Sequence, residues 1–273
     1  MVSNILPKNM ELRPMTEDDI DSILETIRLC DEEEAKTAGE VFEEEDWEGQ
    51  YVLTEDGIVK GVTGIEYIDG TDNSYWLLRS FLVPQLRERG LASSMTQELL
   101  GILNEMEARK VFVNTGDSAD AVIAAEYKEE IKCYESLGFK LELSYENYYE
   151  PGESRLTYGR RVGPVYSARP LFEPDARGVE LVDISEIEET MGAYIIDWDY
   201  TDDEETFGVN DVMKEIKRAA RREGRCVFVG FPTNLPWVDE VLKDAGFHEC
   251  GRLIDFYEDG IDEVHYRIDL QQS

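Results

Sequence analysis

Arg87-Glu-Arg-Gly-Leu-Ala92 is the segment of this 273-residue chain whose residue types suit the holding of an anion. Arg87 and Arg89 bring two guanidinium groups next to Gly90, and Ala92, Ser93 and Ser94 follow. A glycine lets an anion come close to the main chain, small Ala92 keeps the approach open, and the serines add hydroxyl donors. The segment falls between an apolar run, Phe81-Leu82-Val83, and an amphipathic stretch that begins at Leu91. A strand-to-helix turn in that place presents free N–H groups at the positive end of a helix dipole, which favours a phosphate or pyrophosphate. Taken alone, R-x-x-G-x-A is also the pattern of a tight turn with two solvated arginines.

Charge makes these arginines conspicuous. The chain carries 61 acidic and 27 basic residues, a formal net charge of −34, spread along its length. Such a field repels nucleic acid and anionic membranes. It suits either adaptation to high salt, where screening tolerates dense carboxylates, or an ordinary acidic bacterial protein. The cysteines at 30, 133, 226 and 250 form no C-x-x-C pair, and there are two histidines, so neither a zinc site nor a disulfide framework is expected. No apolar run approaches the ~20 residues needed to span a bilayer, and Met1–Met10 has no signal-peptide pattern. A cytoplasmic protein is the expectation.

The elements that would hold the turn can be read from periodicity. Glu11–Pro14 reads as a strand leading into a helix capped by Thr16, with Ile20, Ile23, Leu24 and Ile27 at helical spacing. Tyr51–Thr54 and Val59–Tyr67 read as a hairpin, and Tyr75–Val83 as a strand. A helix is expected from Leu91 to about Arg109, then a short buried strand, Val111–Asn114. The segment Thr115–Tyr127 reads as a long loop, followed by a helix closed by Gly138. Leu141–Tyr149 and Arg155–Val162 read as a hairpin around Pro151-Gly152. Prolines and glycines break the pattern over 164–178, which reads as a linker between domains at 1–163 and 179–273.

The two parts repeat. Val111-Phe-Val113 matches Val227-Phe-Val229 at an offset of 116 (227 minus 111). Leu137-Gly-Phe139 matches Ala245-Gly-Phe247 at 108 (245 minus 137), and Tyr148–Gly152 matches Phe256–Gly260 at the same offset. A single gap of eight residues after the short strand reconciles the three. The second copy lacks the first hairpin. At the offset of 116 its Asp203-Glu-Glu falls opposite the arginine turn, and at 108 its Leu242 falls opposite Tyr134.

Strand Trp76–Val83, turn Arg87–Ala92 and block Tyr134-Glu-Ser-Leu-Gly-Phe139 together resemble the GNAT superfamily of N-acetyltransferases over roughly residues 10–162. The resemblance implies a mixed α/β fold, a splayed mixed sheet flanked by helices, with a smaller, degenerate GNAT-like half after it. It implies acetyl-coenzyme A as cosubstrate, wedged in the splay. Phe81, Leu82 and Val83 would offer main-chain groups to the pantetheine arm, and Arg87, Glu88, Arg89, Gly90, Leu91, Ala92 and Ser93 would cradle the pyrophosphate. Asn114 would bond the pantetheine amide. Tyr134 stands where such enzymes place the acid that protonates the leaving thiolate. Glu66, on a strand lining the cleft, is the candidate base acting through water; it also reads as one more acidic strand residue. Tyr148 and Tyr149 fall on the substrate side and also read as packing.

The expected activity is acetyl transfer to a small amine or amino-acid-like acceptor. The alternatives are an acyl-coenzyme A sensor without turnover, and an interaction protein. The second half would complete the sheet, cover the acceptor site or mediate a homodimer, with His265 structural.

Overall fold

The computed structural model describes residues 5–43, 47–86, 90–164, 178–201 and 206–270. Strand β1 (Met10–Pro14) leads through a 3-10 turn into α1 (Ile20–Arg28), and α2 (Glu32–Glu43) packs beside it. Strands β2 (Gln50–Glu55), β3 (Ile58–Tyr67) and β4 (Ser74–Leu82) then form an antiparallel meander. The turn between β2 and β3 holds Asp56 and Gly57 at positive φ, the geometry a two-residue hairpin needs. Helix α3 (Leu91–Glu105) crosses to β5 (Lys110–Ser118), α4 (Ala121–Ser136) crosses back, and β6 (Lys140–Glu150) and β7 (Glu153–Arg161) close the first half. The second half runs β8 (Gly178–Glu186), β9 (Ala193–Thr201), α5 (Val209–Arg221), β10 (Cys226–Pro232), α6 (Pro236–Asp244), β11 (His248–Glu258) and β12 (Ile261–Asp269).

All these strands join one twelve-stranded sheet, in the order β1-β2-β3-β4-β5-β7-β6-β11-β12-β10-β9-β8. Helices α3 and α4 bury Leu99, Leu103 and neighbours against Val111, Val113 and Tyr158 on one face. Helices α5 and α6 bury Val212, Ile216, Val238 and Leu242 against Val227, Val229 and Tyr266. Fully burying a residue such as Leu99 or Leu103 is worth ~1.5–3 kcal/mol, so these faces anchor both halves. Helices α1 and α2 cover Val52, Val62 and Phe81 in a separate cluster.

Strand registers reproduce the offsets read from the sequence. Val111 pairs with Arg160 on β7, and Val227 pairs with Ile268 on β12, residues displaced by 116 and 108 (268 minus 160). The eight-residue gap falls in the second crossover, where α4 has 16 residues and α6 has 9. The strand before α3 has its own offset: β4 pairs Ser74 with Lys110, and β9 pairs Ala193 with Cys226, a displacement of 119 (193 minus 74).

Three boundaries differ from the sequence reading. Helix α3 ends at Glu105, because Glu107 takes a positive φ of 57° and Ala108 N–H turns back to Leu103 O. The expected loop Thr115–Tyr127 is instead the end of β5 followed by α4, whose N-terminus is capped by Asp120 accepting from Val122 N at 2.8 Å. Of the expected linker, 165–177 lies outside the described residues, and Gly178 already belongs to β8.

At the seam, β6 and β11 run antiparallel, and their terminal hairpins reach across it. Both bend at a positive-φ residue, Asn147 at 52° and Asp255 at 51°. Arg109 of the first half donates to the carbonyls of Asp255 and Phe256. Arg225 of the second donates to those of Asn147 and Tyr148. The same two arginines use Nε on Asp72 O (2.8 Å) and Met191 O (3.1 Å), again equivalent positions. Phe112, Tyr145, Phe228 and Phe256 pack into a shared core beneath these contacts.

Candidate functional site

Strands β4 and β5 run parallel only over Ser74–Trp76 and Lys110–Phe112. Beyond that point each continues for six residues, β4 to Leu82 and β5 to Ser118, with no pairing between them. This is a splay, and its mouth faces the start of α3. There Gly90 sits at φ 73° as the N-cap, a conformation glycine adopts without penalty. A Cβ added at Gly90 would meet nothing within 4 Å. Among the described residues the first bond of the helix is Ser94 N to Gly90 O, and no side chain caps its start. The N–H groups of Leu91, Ala92 and Ser93 therefore lack partners among the described residues, the arrangement that suits an anion. Arg87, Glu88 and Arg89 lie outside the described residues.

Main-chain groups along β4 are not all open to the splay. Val83 N–H donates to Lys60 O at 2.9 Å, toward β3, so it is committed within the sheet. Alternation along an antiparallel strand then turns Leu82 toward the open side and Phe81 toward β3. Leu82 O takes the Cys30 thiol at 3.4 Å. The main-chain groups of Phe81 and Val83 thus face β3, and those of Leu82 lie on the side away from it.

Tyr134, on the last turn of α4, packs edge-on against Phe139 with ring centroids 5.7 Å apart. Burial pushes its phenol well above the ordinary value, Glu130 and Cys133 add to this, and Arg79 on β4 opposes it. The phenol stays protonated at neutral pH, as a donor must. Asn114 is exposed within β5 rather than at its end, and its Oδ1 accepts from Thr157 Oγ1 at 2.8 Å. Glu66 is exposed on β3 and pairs in register with Trp76. No hydrogen bond or ion pair holds it among the described residues.

The equivalent elements of the second half are closed. Trp198 on β9 donates its indole N–H to Gly230 O on β10 at 2.7 Å and stacks on Phe231 at 4.6 Å, bridging the space where these strands diverge. At the start of α5, Asp211 Oδ2 takes Gly208 N–H at 2.9 Å, which puts a carboxylate where a phosphate would sit. Leu242, buried at 1%, stands at the position of Tyr134. The expected acidic turn, 203–205, lies outside the described residues.

A cavity of about 270 Å³ opens at the seam. Trp76, Tyr145, Arg155 and Thr157 line it from the first half, and Trp198, Glu263 and His265 from the second. His265 meets the Tyr145 hydroxyl through Nδ1, and its Nε2 lies 2.8 Å from Glu263 Oε2. Glu263 Oε1 accepts from Tyr257 at 2.9 Å. Burial pushes the Glu263 carboxyl up, but His265, the Tyr257 hydrogen bond and Arg155 outweigh it and hold it below the ordinary value. Arg155 Nη1 donates to the Tyr148 hydroxyl at 2.8 Å, and the guanidinium lies 5.1 Å from that ring. The sequence reading treated His265 as structural and passed over Arg155 and Glu263. The repeat held the clue, since Arg155 and Glu263 are equivalent positions of opposite charge (263 minus 155 is 108).

No family model matches the chain, and no curated protein matches it in sequence. Solved structures do match its fold. A crystal structure assigned to the GNAT family of acetyltransferases, from Desulfovibrio desulfuricans, superposes with a TM-score of 0.50 at 20% identity, covering 56% of this chain and 99% of its own. Ard1 from Thermoplasma volcanium superposes with a TM-score of 0.47 at 21% identity, covering 57% and 99%. The aminoglycoside 6′-N-acetyltransferase from Enterococcus faecium gives 0.47 at 13% identity, covering 57% and 99%. The first of these, matched over nearly its whole length, establishes that this chain contains a GNAT fold. Among the described residues no helix is long and apolar enough to cross a membrane.

Proposed function

We propose that the chain transfers the acetyl group of acetyl-coenzyme A to a small amine. The observation that carries the reading is the splay between β4 and β5, directed at the start of α3, where Gly90 stands at φ 73°. In this reading the pantetheine arm lies along Leu82 with Asn114 opposite. The pyrophosphate meets the N–H groups of Leu91, Ala92 and Ser93, with charge from Arg87 and Arg89. The amine nitrogen attacks the thioester carbonyl, a C–N bond forms and the C–S bond breaks. The departing thiolate takes a proton from the Tyr134 phenol, and the proton lost by the amine leaves through water past Glu66. Solvent then restores the phenol. The second half is a degenerate, partial GNAT-like domain that binds no coenzyme, its splay bridged by Trp198 and its helix start held by Asp211.

Titration calorimetry with acetyl-coenzyme A, paired with a thiol-release assay over an amine panel, tests the proposal. One binding site per chain and amine-dependent thiol release are expected. Binding without turnover across the panel would reduce the protein to a sensor, and no binding would remove the coenzyme site.

A further inference from the structure

We propose that the cavity at the seam binds a small amine that also carries a carboxylate, an amino-acid-sized zwitterion. Arg155 receives the carboxylate and Glu263 holds the ammonium. As the identity of the acetyl acceptor this rests on the reading above, whereas binding to the cavity requires no coenzyme.

Arg155 is the first indication. The chain has 61 acidic residues, yet among the described residues no carboxylate stands within ion-pair range of this guanidinium. Its partners are neutral, the hydroxyl and the ring of Tyr148, and its Nε is buried with no hydrogen bond. A partly buried cation without a contact ion pair is costly, and a ligand carboxylate would relieve the cost. Arg13, Arg161, Arg218 and Arg267 sit in ion pairs, and Arg160 and Arg225 donate to main-chain carbonyls, whereas Arg155 has only the Tyr148 side chain.

Glu263 is the second. It lies on β12 at the position Arg155 occupies on β7, so the repeat sets opposite charges on the two sides of the cavity. The two groups influence one another electrostatically without forming a contact ion pair. Asp197, whose carboxyl burial holds above its ordinary value, adds to the acidic wall. A simple amine would lose part of its attraction to the field of Arg155, and a simple acid would meet Glu263. A molecule with both groups matches both walls.

Size and position complete the argument. About 270 Å³ lies at the small end of ligand cavities, which run ~300–1,000 Å³, and suits a molecule of amino-acid size. Trp76 and Trp198 give an apolar body somewhere to pack. Trp76 is also the last residue of β4 paired with β5, and Thr157 on the cavity wall bonds Asn114 inside the splay. The cavity therefore meets the base of the splay, where an acetyl group would be presented. The second half, on this account, contributes half of an acceptor site.

Tryptophan fluorescence reports the cavity directly. Wild-type protein without coenzyme is titrated with the common L-amino acids. The tightest binder is then compared with its amine lacking the carboxylate and its acid lacking the amine. Saturable binding of at least one amino acid is expected, with each truncated analogue at least about tenfold weaker. Arg155→Met should weaken the amino acid at least about tenfold and leave the decarboxylated amine nearly unchanged. No saturable binding by any amino acid, or a decarboxylated amine as tight as its parent, overturns the proposal without any variant. Acetyl-coenzyme A titrated into the same samples separates the two readings: amino-acid binding without coenzyme binding would keep this site and remove acetyl transfer.

Discussion

Leu143 pairs with Gly251 across the seam, and under the offset of 108 (251 minus 143) each is the other's counterpart. Where a residue in antiparallel strands faces its own equivalent, the two copies are related by a half-turn about that point. The reciprocal bonds of Arg109 and Arg225 obey the same relation. The pairing is also tight. A Cβ at Gly251 would lie 2.6 Å from Leu143 Cδ1 and 3.3 Å from Leu143 Cα. Gly251→Ala should therefore destabilise the protein by ~1–3 kcal/mol in urea unfolding. Leu143→Ala removes the closer clash while opening a cavity, so the double variant should be at least ~0.5 kcal/mol less damaging than the sum of the singles. Strict additivity would mean that the two residues do not share this contact.

Gly90 separates fold from binding. Its φ of 73° makes any L side chain there costly by ~1 kcal/mol, but the space around it is empty of protein. Gly90→Glu should keep the far-UV circular dichroism spectrum and lose about 1 kcal/mol of stability. It should lower acetyl-coenzyme A affinity by at least about tenfold, because the carboxylate would occupy the phosphate position. Undiminished affinity by calorimetry would remove the cradle.

Tyr134 should matter to turnover more than to binding. Tyr134→Phe is expected to lower kcat by ~10²-fold or more, with the dissociation constant of acetyl-coenzyme A changed far less. Because burial raises the phenol above its ordinary value of ~10, the wild-type rate should show no alkaline fall from this group below about pH 10. A phenol that titrates near neutrality, seen as such a fall that vanishes in the variant, would contradict the role.

Asp19 makes a prediction about acid stability. Arg13 grips its carboxylate with two bonds of 2.7 and 2.8 Å, and Thr16 adds two more. The Arg13 hydrogen bonds, against the opposing effect of burial and with help from Thr16, lower its pKa to about 2. The unfolded value is ~3.9, so this group contributes stability above about pH 4, and the contribution disappears as pH falls toward 2. Asp19→Asn should be less stable than wild type at pH 7, and the difference should close between about pH 4 and 2. Chemical denaturation at several pH values measures it; a constant difference would refute the assignment.

The Gly90 turn was legible in the sequence because it rests on a local pattern, and the offsets of 116 and 108 come from local patterns too. Val-Phe-Val, the Gly-Phe after a helix, and a glycine before an apolar stretch all state a local geometry. The offset of 119 in β4 and β9 was hidden because Ser74–Trp76 and Ala193–Ile195 share only the tyrosine at 75 and 194. The start of α4 was misplaced because the helix buries only Ala124 and so carries almost no apolar rhythm. Gly116, inside the expected loop, lies within β5 with the Tyr127 ring packed where a side chain would stand. The seam cavity draws on strands from both halves, more than a hundred residues apart, so no window of sequence contains it.

The reciprocal arginine clasp bears on how the molecule holds together in dilute solution. Among the described residues each hairpin's bent carbonyls take their arginine donors from the other half, as in an obligate dimer, but here both halves belong to one polypeptide. Tethering replaces a bimolecular association with an intramolecular one at ~mM effective concentration. Thermal midpoints should therefore not move with protein concentration. The same tether lets the residues on the two sides of the seam differ, as Arg155 and Glu263 do, a freedom that a symmetric dimer of identical chains does not have.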